Sequence, residues 1–315
     1  MPHGEINLQL FRDAALRVKG HVRRTPLVPA APASDFANLW FKPECLQVSG
    51  SFKARGAFNS ALSLSQEAAA SGLVTASGGN FGAAIAYVGQ QLNLPAHVVV
   101  MEQSTDTVRN RISDFGAHLE VAGYHWDQSW DHAQVIAAQT GATLMHPFAT
   151  PEVIGGQGTI GLEILEDFSD VETVFVAIGG GGMIGGIATA IKLLRPDVRI
   201  VGVETAGCPT LTKALEAGGP VVLEDVQTNV PILGARKTED LNYELVRDNV
   251  DEIILVDEES PAKMACWMWA QTGLAVELGA ATVVSAVLNG FTNLRKDERA
   301  VAVLCGSGDD GMDTK

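Results

Sequence analysis

Short runs of β-branched residues alternate with amphipathic segments along most of the chain. This alternation is typical of βαβ units, in which helices connect the strands of a parallel sheet. Because large open sheets tend to split, we expect an α/β fold with two sheets and a cleft between them. The runs predict strands at 73–76, 96–101, 118–121, 142–145, 171–178, 199–204, 252–256 and 300–304.

Helical periodicity fills the intervals between these strands. Residues 1–20 predict an amphipathic helix, and residues 218–240, rich in proline, glycine and polar side chains, predict an irregular segment. No internal repeat or proline-rich linker separates two domains, so we expect them to be interleaved along the chain. The other predicted helices are 81–92, 105–115, 129–140, 159–168, 183–194, 211–217, 260–271 and 275–288.

The chain has 315 residues and a formal net charge of −15. This acidic balance argues against nucleic acid or an anionic membrane surface as the main partner, so an anionic ligand must be held by local donors. The four cysteines are far apart, which predicts neither a disulfide framework nor a zinc ribbon. Without a signal-peptide pattern or an apolar run of membrane-spanning length, we expect a cytoplasmic protein.

Two glycine-rich segments lie between a predicted strand and a predicted helix. The first is Ser77-Gly78-Gly79-Asn80, and the second, from Gly179 to Gly186, begins with four consecutive glycines. At such junctions, unpaired backbone N–H groups and the helix dipole bind anions, and glycines let successive N–H groups converge on a phosphate. The two segments predict a ligand, or a ligand pair, with two separate anionic groups.

The second segment also permits a rival interpretation. Gly180, Gly182 and Gly185 satisfy the GxGxxG pattern, and Glu204 lies at the end of the next predicted strand, as in a dinucleotide-binding fold. A nicotinamide-dependent (NAD) oxidoreductase is therefore an alternative. It leaves the N-terminal half of the chain without a role.

That half contains the segment Ser49-Gly50-Ser51-Phe52-Lys53-Ala54-Arg55-Gly56. Lys53 lies at the start of a predicted helix, where partial burial would favour its neutral amine. A neutral amine is the form that makes a Schiff base with a carbonyl group. A lysine with two anion-binding segments is the set of groups that a pyridoxal phosphate enzyme needs.

Four motifs occur in the order and at about the spacing found in serine/threonine dehydratases and serine racemases. They are the segment 49–57, Ser77-Gly78-Gly79-Asn80, Gly155-Gly156-Gln157-Gly158-Thr159 and the four glycines 179–182. The chain resembles these fold-type II pyridoxal phosphate enzymes over nearly its whole length. The resemblance implies a tryptophan synthase β-like fold, with two open, twisted, mostly parallel sheets flanked by helices. It also implies a homodimer that acts on a small amino acid substrate.

The resemblance places individual residues. Residues 1–60 with 150–315 would form a large cofactor-binding domain, and 61–149 a small domain over the active-site cleft. Lys53 would hold pyridoxal 5'-phosphate covalently and then act as the catalytic base at the substrate Cα. The substrate carboxylate would lie against Ser77, Gly78, Gly79, Asn80 and Phe81. The cofactor contacts would be Phe52, Lys53, Asn80, Gly179, Gly180, Gly181, Gly182, Met183, Gly234 and Cys305.

The implied reaction is α,β-elimination, the dehydration and deamination of a β-hydroxy amino acid such as serine or threonine to a 2-oxo acid and ammonia. Cys305 would face the pyridine nitrogen, and a neutral thiol stabilises a protonated pyridine less than a carboxylate does. That favours rapid loss of a β-leaving group over a long-lived carbanion. An amino acid racemase or a β-replacing synthase of the same fold is the alternative within the class.

The sequence departs from the family pattern at several positions. Phe81 stands where many dehydratases carry histidine, and Phe148 stands where smaller or polar residues are common. Both either shape the substrate pocket for an apolar or larger side chain or only pack. Gly78 stands where serine racemases present a serine, which disfavours racemisation. Thr210 replaces the second acidic residue of metal-binding members, so we expect no metal site. Glu204 is then expected at the surface or ordering a loop.

Overall fold

The computed structural model describes residues 6–30, 35–36 and 38–312. Its strands are β1 (Val28–Pro29), β2 (Leu39–Lys42), β3 (Leu73–Ala76), β4 (Ala96–Val100), β5 (His118–Val121), β6 (Thr143–Leu144), β7 (Thr173–Ala177), β8 (Arg199–Thr205), β9 (Glu252–Val256) and β10 (Ala300–Val303). Its helices are α1 (Leu8–Val18), α2 (Lys53–Leu62), α3 (Gln66–Ala70), α4 (Asn80–Leu92), α5 (Asp106–Asp114), α6 (Trp126–Thr140), α7 (Pro151–Asp167), α8 (Gly182–Lys192), α9 (Thr210–Ala217), α10 (Asp240–Asn249), α11 (Ser260–Thr272) and α12 (Leu278–Leu288).

The strands form two sheets, as predicted. One has the order β1-β2-β10-β7-β8-β9, in which β1 is antiparallel to β2 and the other neighbours are parallel. The other has the order β5-β4-β3-β6 and is entirely parallel. Every residue of β3, β7 and β10 is buried, as expected for central strands of parallel sheets covered on both faces.

Most predicted elements are confirmed, but the helix predicted at 159–168 is wrong at its start. It is α7 and begins at Pro151, so the Gly155-Gly156-Gln157-Gly158 motif is helical. These glycines allow α7 to approach its neighbours closely. A Cβ on Gly156 would lie 2.5 Å from the Arg55 carbonyl oxygen, and one on Gly158 would lie 2.3 Å from the Phe11 ring.

The elements β1, β2, α3 and α10 were not predicted. Residues 218–239 are irregular apart from a 3₁₀ turn at Pro231–Leu233, which confirms the expectation for 218–240 except at Asp240, where α10 begins. The predicted helix at 1–20 is present as α1, although its first five residues lie outside the described part of the chain. No helix among the described residues has the length and apolar character needed to cross a membrane.

The segment before Lys53 is attached to the carboxyl end of β10. Phe52 N donates to Cys305 O at 3.0 Å, and Ser307 N donates to Gly50 O at 2.8 Å. The turns that follow β3 and β7 contain the two predicted anion sites, at the carboxyl ends of parallel strands. In open α/β sheets this edge is where ligands bind.

Candidate active site

The amine of Lys53 lies among protein atoms at the start of α2. Although part of the residue is accessible to solvent, Nζ donates a hydrogen bond to Pro147 O at 2.8 Å. Burial lowers the pKa of the Lys53 amine to about 8. A substantial fraction of the amine is therefore neutral near physiological pH, as the sequence predicted.

Three aromatic rings surround this amine. The ring centroids of Phe52, Phe81 and Phe148 lie 5.1, 5.7 and 6.0 Å from Lys53 Nζ. They come from three separate parts of the chain: the residue before α2, the first turn of α4 and the loop between β6 and α7. The rings take the place of water around the amine, and this is the physical cause of its lowered pKa.

The turn between β7 and α8 has the geometry of an anion-binding nest. Gly181 has a φ of +90°, a left-handed conformation that favours glycine. A Cβ on Gly180 would lie 2.9 Å from the ring of Phe148, and one on Gly182 would lie 2.3 Å from the Phe148 carbonyl oxygen. Glycine is required for this close approach. The N–H groups in the first turn of α8 have no partner within the helix and can bind an anion.

Two residues that the sequence analysis missed hold this turn in place. Thr238 Oγ1 donates to Gly180 O at 3.1 Å, and Asn242 Nδ2 donates to the same oxygen at 2.7 Å. Asn242 Nδ2 also donates to Phe148 O at 3.1 Å, so it joins the nest to the aromatic side of the site. Both residues are fully buried. Nothing in their local sequence marks this role, because their partners lie far away along the chain.

Asn80 and Cys305, two predicted cofactor contacts, meet at a third residue that was not predicted. Glu277 accepts a hydrogen bond from Asn80 Nδ2 at 2.7 Å and another from Cys305 Sγ at 3.3 Å. Burial raises the pKa of the Glu277 carboxyl group. The sequence held a signal for it, since Glu277 is the one charged residue between Lys263 and Arg295. A lone acid in an apolar segment is rarely buried without a specific partner.

Arg111 was also missed. It extends from α5 and donates to the carbonyl oxygen of Ser49, in the segment before Lys53. Burial lowers the pKa of Arg111, and the charge of Glu277 opposes that shift. Arg111 thus connects a helix of the four-stranded sheet with the segment that leads to the amine.

The remaining predicted residues lie around the same edge. Gly234 ends the 3₁₀ turn, and its neighbour Leu233 packs against Gly179. Met183 is buried in the first turn of α8. The segment Ser77-Gly78-Gly79 lies between β3 and α4. The first turn of α4 carries Asn80 and Phe81, and the ring of Phe81 lies beside the Lys53 amine.

Glu204 is buried, so its expected position at the surface is wrong, whereas its expected role in ordering a loop is confirmed. It caps α9 by accepting hydrogen bonds from Leu211 N at 2.7 Å and Thr212 N at 3.0 Å. The strongest argument for the dinucleotide interpretation is thereby removed. Both oxygens of Glu204 are occupied inside the protein, and the carboxylate is not free to bind a ribose.

Arg55, two residues after Lys53, attaches α2 to the protein interior. It is fully buried and forms ion pairs of 2.7 Å with both Glu44 and Glu163. Lys42 also pairs with Glu163, at 2.6 Å. Burial without partners would be costly for each of these charges, so the network fixes the orientation of the helix that carries the amine.

The family described as "Pyridoxal-phosphate dependent enzyme" matches residues 18–306, and the chain belongs to it. It is 37% identical to an L-threonine ammonia-lyase of Thermotoga maritima, over 90% of this chain and 71% of that protein. It is 33% identical to a phenylserine dehydratase of Ralstonia pickettii, over 96% and 94% of the two chains. Its fold superimposes on maize serine racemase with a TM-score of 0.91 and 30% identity, covering 96% and 93%.

These comparisons confirm the resemblance to serine/threonine dehydratases and serine racemases, the fold-type II architecture and the dependence on pyridoxal phosphate. The donor set fits that cofactor: a nest that only glycines can form, an amine with a lowered pKa beside it, and a buried thiol and amide on the other side. The roles of the individual residues stay predictions.

Proposed function

We propose that this protein is a pyridoxal phosphate-dependent ammonia-lyase that converts a 2-amino-3-hydroxy acid, such as serine or threonine, into a 2-oxo acid and ammonia. The observation that carries the proposal is the Lys53 amine, with a pKa of about 8, beside a glycine nest for a phosphate. The named activities of the relatives from T. maritima and R. pickettii support the same reaction class.

When bound, pyridoxal phosphate supplies an electron sink for the bonds at the substrate Cα. The N–H groups from Gly179 to Met183 would hold its phosphate. Phe52 would pack against its ring, Asn80 and Cys305 would make polar contacts with it, and Gly234 would lie in a neighbouring loop. The turn at 77–79 holds the substrate carboxylate at the N-terminus of α4, where the helix dipole favours a negative charge.

The neutral Lys53 amine removes the proton from Cα, and the aromatic rings around it exclude water. The Cα–H and Cβ–O bonds break, and in the overall balance the proton taken from Cα and the hydroxyl group from Cβ leave together as water. The resulting enamine tautomerises to an imine, and addition of water releases ammonia and the 2-oxo acid. No oxidant or reductant is consumed. Racemisation is disfavoured because Gly78 presents no hydroxyl group to the opposite face of Cα.

We also propose the arrangement that the sequence implied for the rest of the molecule. Residues 61–149 form a small domain over the cleft, and 1–60 with 150–315 form a large one; the grouping of β3 to β6 in a single sheet supports this division. The family resemblance supports a homodimer. The four free cysteines support a cytoplasmic location.

The test is the release of 2-oxo acid from serine and threonine by the purified holoenzyme. Lys53→Ala is expected to lower kcat at least about 1000-fold, since it removes both the nucleophile and the base. Lys263→Ala, at an exposed position, is the control. Borohydride reduction followed by peptide mapping is expected to fix the cofactor on Lys53. Turnover by Lys53→Ala at the parent rate would contradict the proposal.

A further inference from the structure

The side chain of the substrate must lie near the rings that surround Lys53. If this amine takes the Cα proton, Cα lies within its reach, and Cβ is one bond of about 1.5 Å further away. A group attached to Cβ therefore faces the same surroundings as the amine. Of the three rings, Phe81 lies in the first turn of α4, directly after the proposed carboxylate site, and Phe148 lies in the β6–α7 connection.

Phe148 is the first ring of an aromatic row that continues through His146 and Trp130 to Trp126. The centroids of successive rings are 4.8, 5.2 and 5.1 Å apart, the first two pairs edge to face and the last stacked. At its far end, Trp126 Nε1 donates to Ala76 O at 2.9 Å, directly before the turn at 77–79. The row thus extends from the amine to the proposed carboxylate site.

The rings of this row are held in fixed orientations. His146 Nδ1 accepts hydrogen bonds from the backbone N–H groups of Phe148 and Ala149, at 3.3 and 3.0 Å. Burial, and then the charge of Lys53, lower the pKa of His146 to about 4. The imidazole is therefore neutral at physiological pH. The row offers no positive charge to an acidic substrate side chain, and it offers flat apolar surfaces to a ring.

Packing alone does not account for these residues. Phe58 and Phe175, which lie in the cores, are fully buried, whereas Phe148, His146, Trp130 and Trp126 are each only half-buried. Aromatic side chains that are pre-positioned and partly accessible beside a reactive group are typical of the apolar walls of small-molecule sites. Edge-to-face and offset contacts are the arrangements in which such walls bind another aromatic ring.

We propose that the aromatic row forms the subsite for the substrate side chain, and that the preferred substrate is a 2-amino-3-hydroxy acid with an aryl group on C3. This inference rests on the proposed function. The reaction has the same balance as before, with loss of water and ammonia, and its product is an aryl-substituted 2-oxo acid.

The first experiment compares kcat/KM of the holoenzyme for serine, threonine and 3-phenylserine. We expect 3-phenylserine to exceed serine by about tenfold or more, the discrimination typical of an apolar pocket. Trp130→Leu is expected to lower the ratio of phenylserine to serine turnover by about tenfold, mainly through KM. Trp269→Leu, at an exposed position on α11, is the matched control and leaves the ratio unchanged.

A second experiment measures binding without elimination. L-phenylalanine and L-alanine lack a leaving group, and their binding is followed through the visible absorption band of the holoenzyme. Tighter binding of L-phenylalanine, reduced in Trp130→Leu, supports the subsite; equal binding overturns it. A higher kcat/KM for serine or threonine than for 3-phenylserine overturns the substrate class and leaves the proposed function intact. Release of 2-oxo acid from none of the three overturns the proposed function, and the binding data then decide the subsite.

Discussion

The thiol of Cys305 donates a hydrogen bond to the carboxylate of Glu277 across 3.3 Å. Burial, followed by the charge of Glu277, raises the pKa of the Cys305 thiol well above its ordinary value. The thiol therefore stays protonated and can act as a donor over the whole physiological range. Asn80 binds the other oxygen of the same carboxylate, so one buried acid orients two polar groups of the site.

Glu277→Gln is expected to lower the pKa of the Cys305 thiol, because it removes a neighbouring negative charge while the burial remains. The measurement is the thiolate absorbance of the apoprotein against pH, taken as the difference from the corresponding Cys305→Ala protein. Glu216→Gln changes an exposed glutamate on α9 and is the control. A thiol titration that Glu277→Gln does not move would show that the two groups are uncoupled.

The reactivity of Lys53 is expected to reach half its maximum near pH 8. An ordinary lysine has a pKa of about 10.4, so less than about 1% of it is neutral at pH 8, whereas about half of Lys53 is. Reactivity therefore rises as pH increases through 8 and levels off above it. Competitive acylation of the apoprotein with acetic anhydride, read by peptide mass spectrometry, measures this midpoint. A midpoint above pH 10 would show that the Lys53 amine is exposed to water and contradict its lowered pKa.

Gly182→Ala is expected to weaken the binding of pyridoxal phosphate by about tenfold or more, since its Cβ would lie 2.3 Å from the Phe148 carbonyl oxygen and the nest must shift. Quenching of tryptophan fluorescence in the apoprotein measures the dissociation constant, and circular dichroism checks the fold. Gly219→Ala is the control, because a Cβ there meets no atom within 4 Å. Unchanged affinity in Gly182→Ala would exclude the nest as the phosphate site.

Arg55→Leu is expected to lower the free energy of unfolding by about 3–5 kcal/mol, because it removes the ion-pair partner of Glu44 in the interior and leaves Glu163 with Lys42 alone. Arg24→Ala removes an exposed pair with Glu166 and is expected to cost under about 1 kcal/mol. Urea unfolding of the apoproteins, followed by circular dichroism, compares them. Adding Glu44→Gln to Arg55→Leu should recover part of the loss; equal stability of Arg55→Leu and the parent would refute the role of the network.

The sequence predicted the elements whose signal is local. The alternation of strands and helices, the glycine turn between β7 and α8 and the lysine at the start of α2 each depend on neighbouring residues. The structure has them where the sequence predicted them, apart from the start of α7 and the unpredicted elements β1, β2, α3 and α10. Glu277 and Arg111 were missed because their partners lie far away along the chain: Asn80 is 197 residues from Glu277, and Ser49 is 62 residues from Arg111. The glycines at the start of α7 were not predicted to be helical, because they are explained by the close approach of α1 and α2, which no local pattern records.

The attachment of the Gly50–Phe52 segment to the end of β10 has a consequence for biosynthesis. Gly50 pairs with Ser307 across 257 positions of the sequence, and Phe52 pairs with Cys305. Contacts this distant form late, because the closure of long loops is entropically unfavourable. A nascent chain shorter than 307 residues lacks these contacts, so we expect capture of the vitamin-derived prosthetic group to wait until translation has passed residue 307.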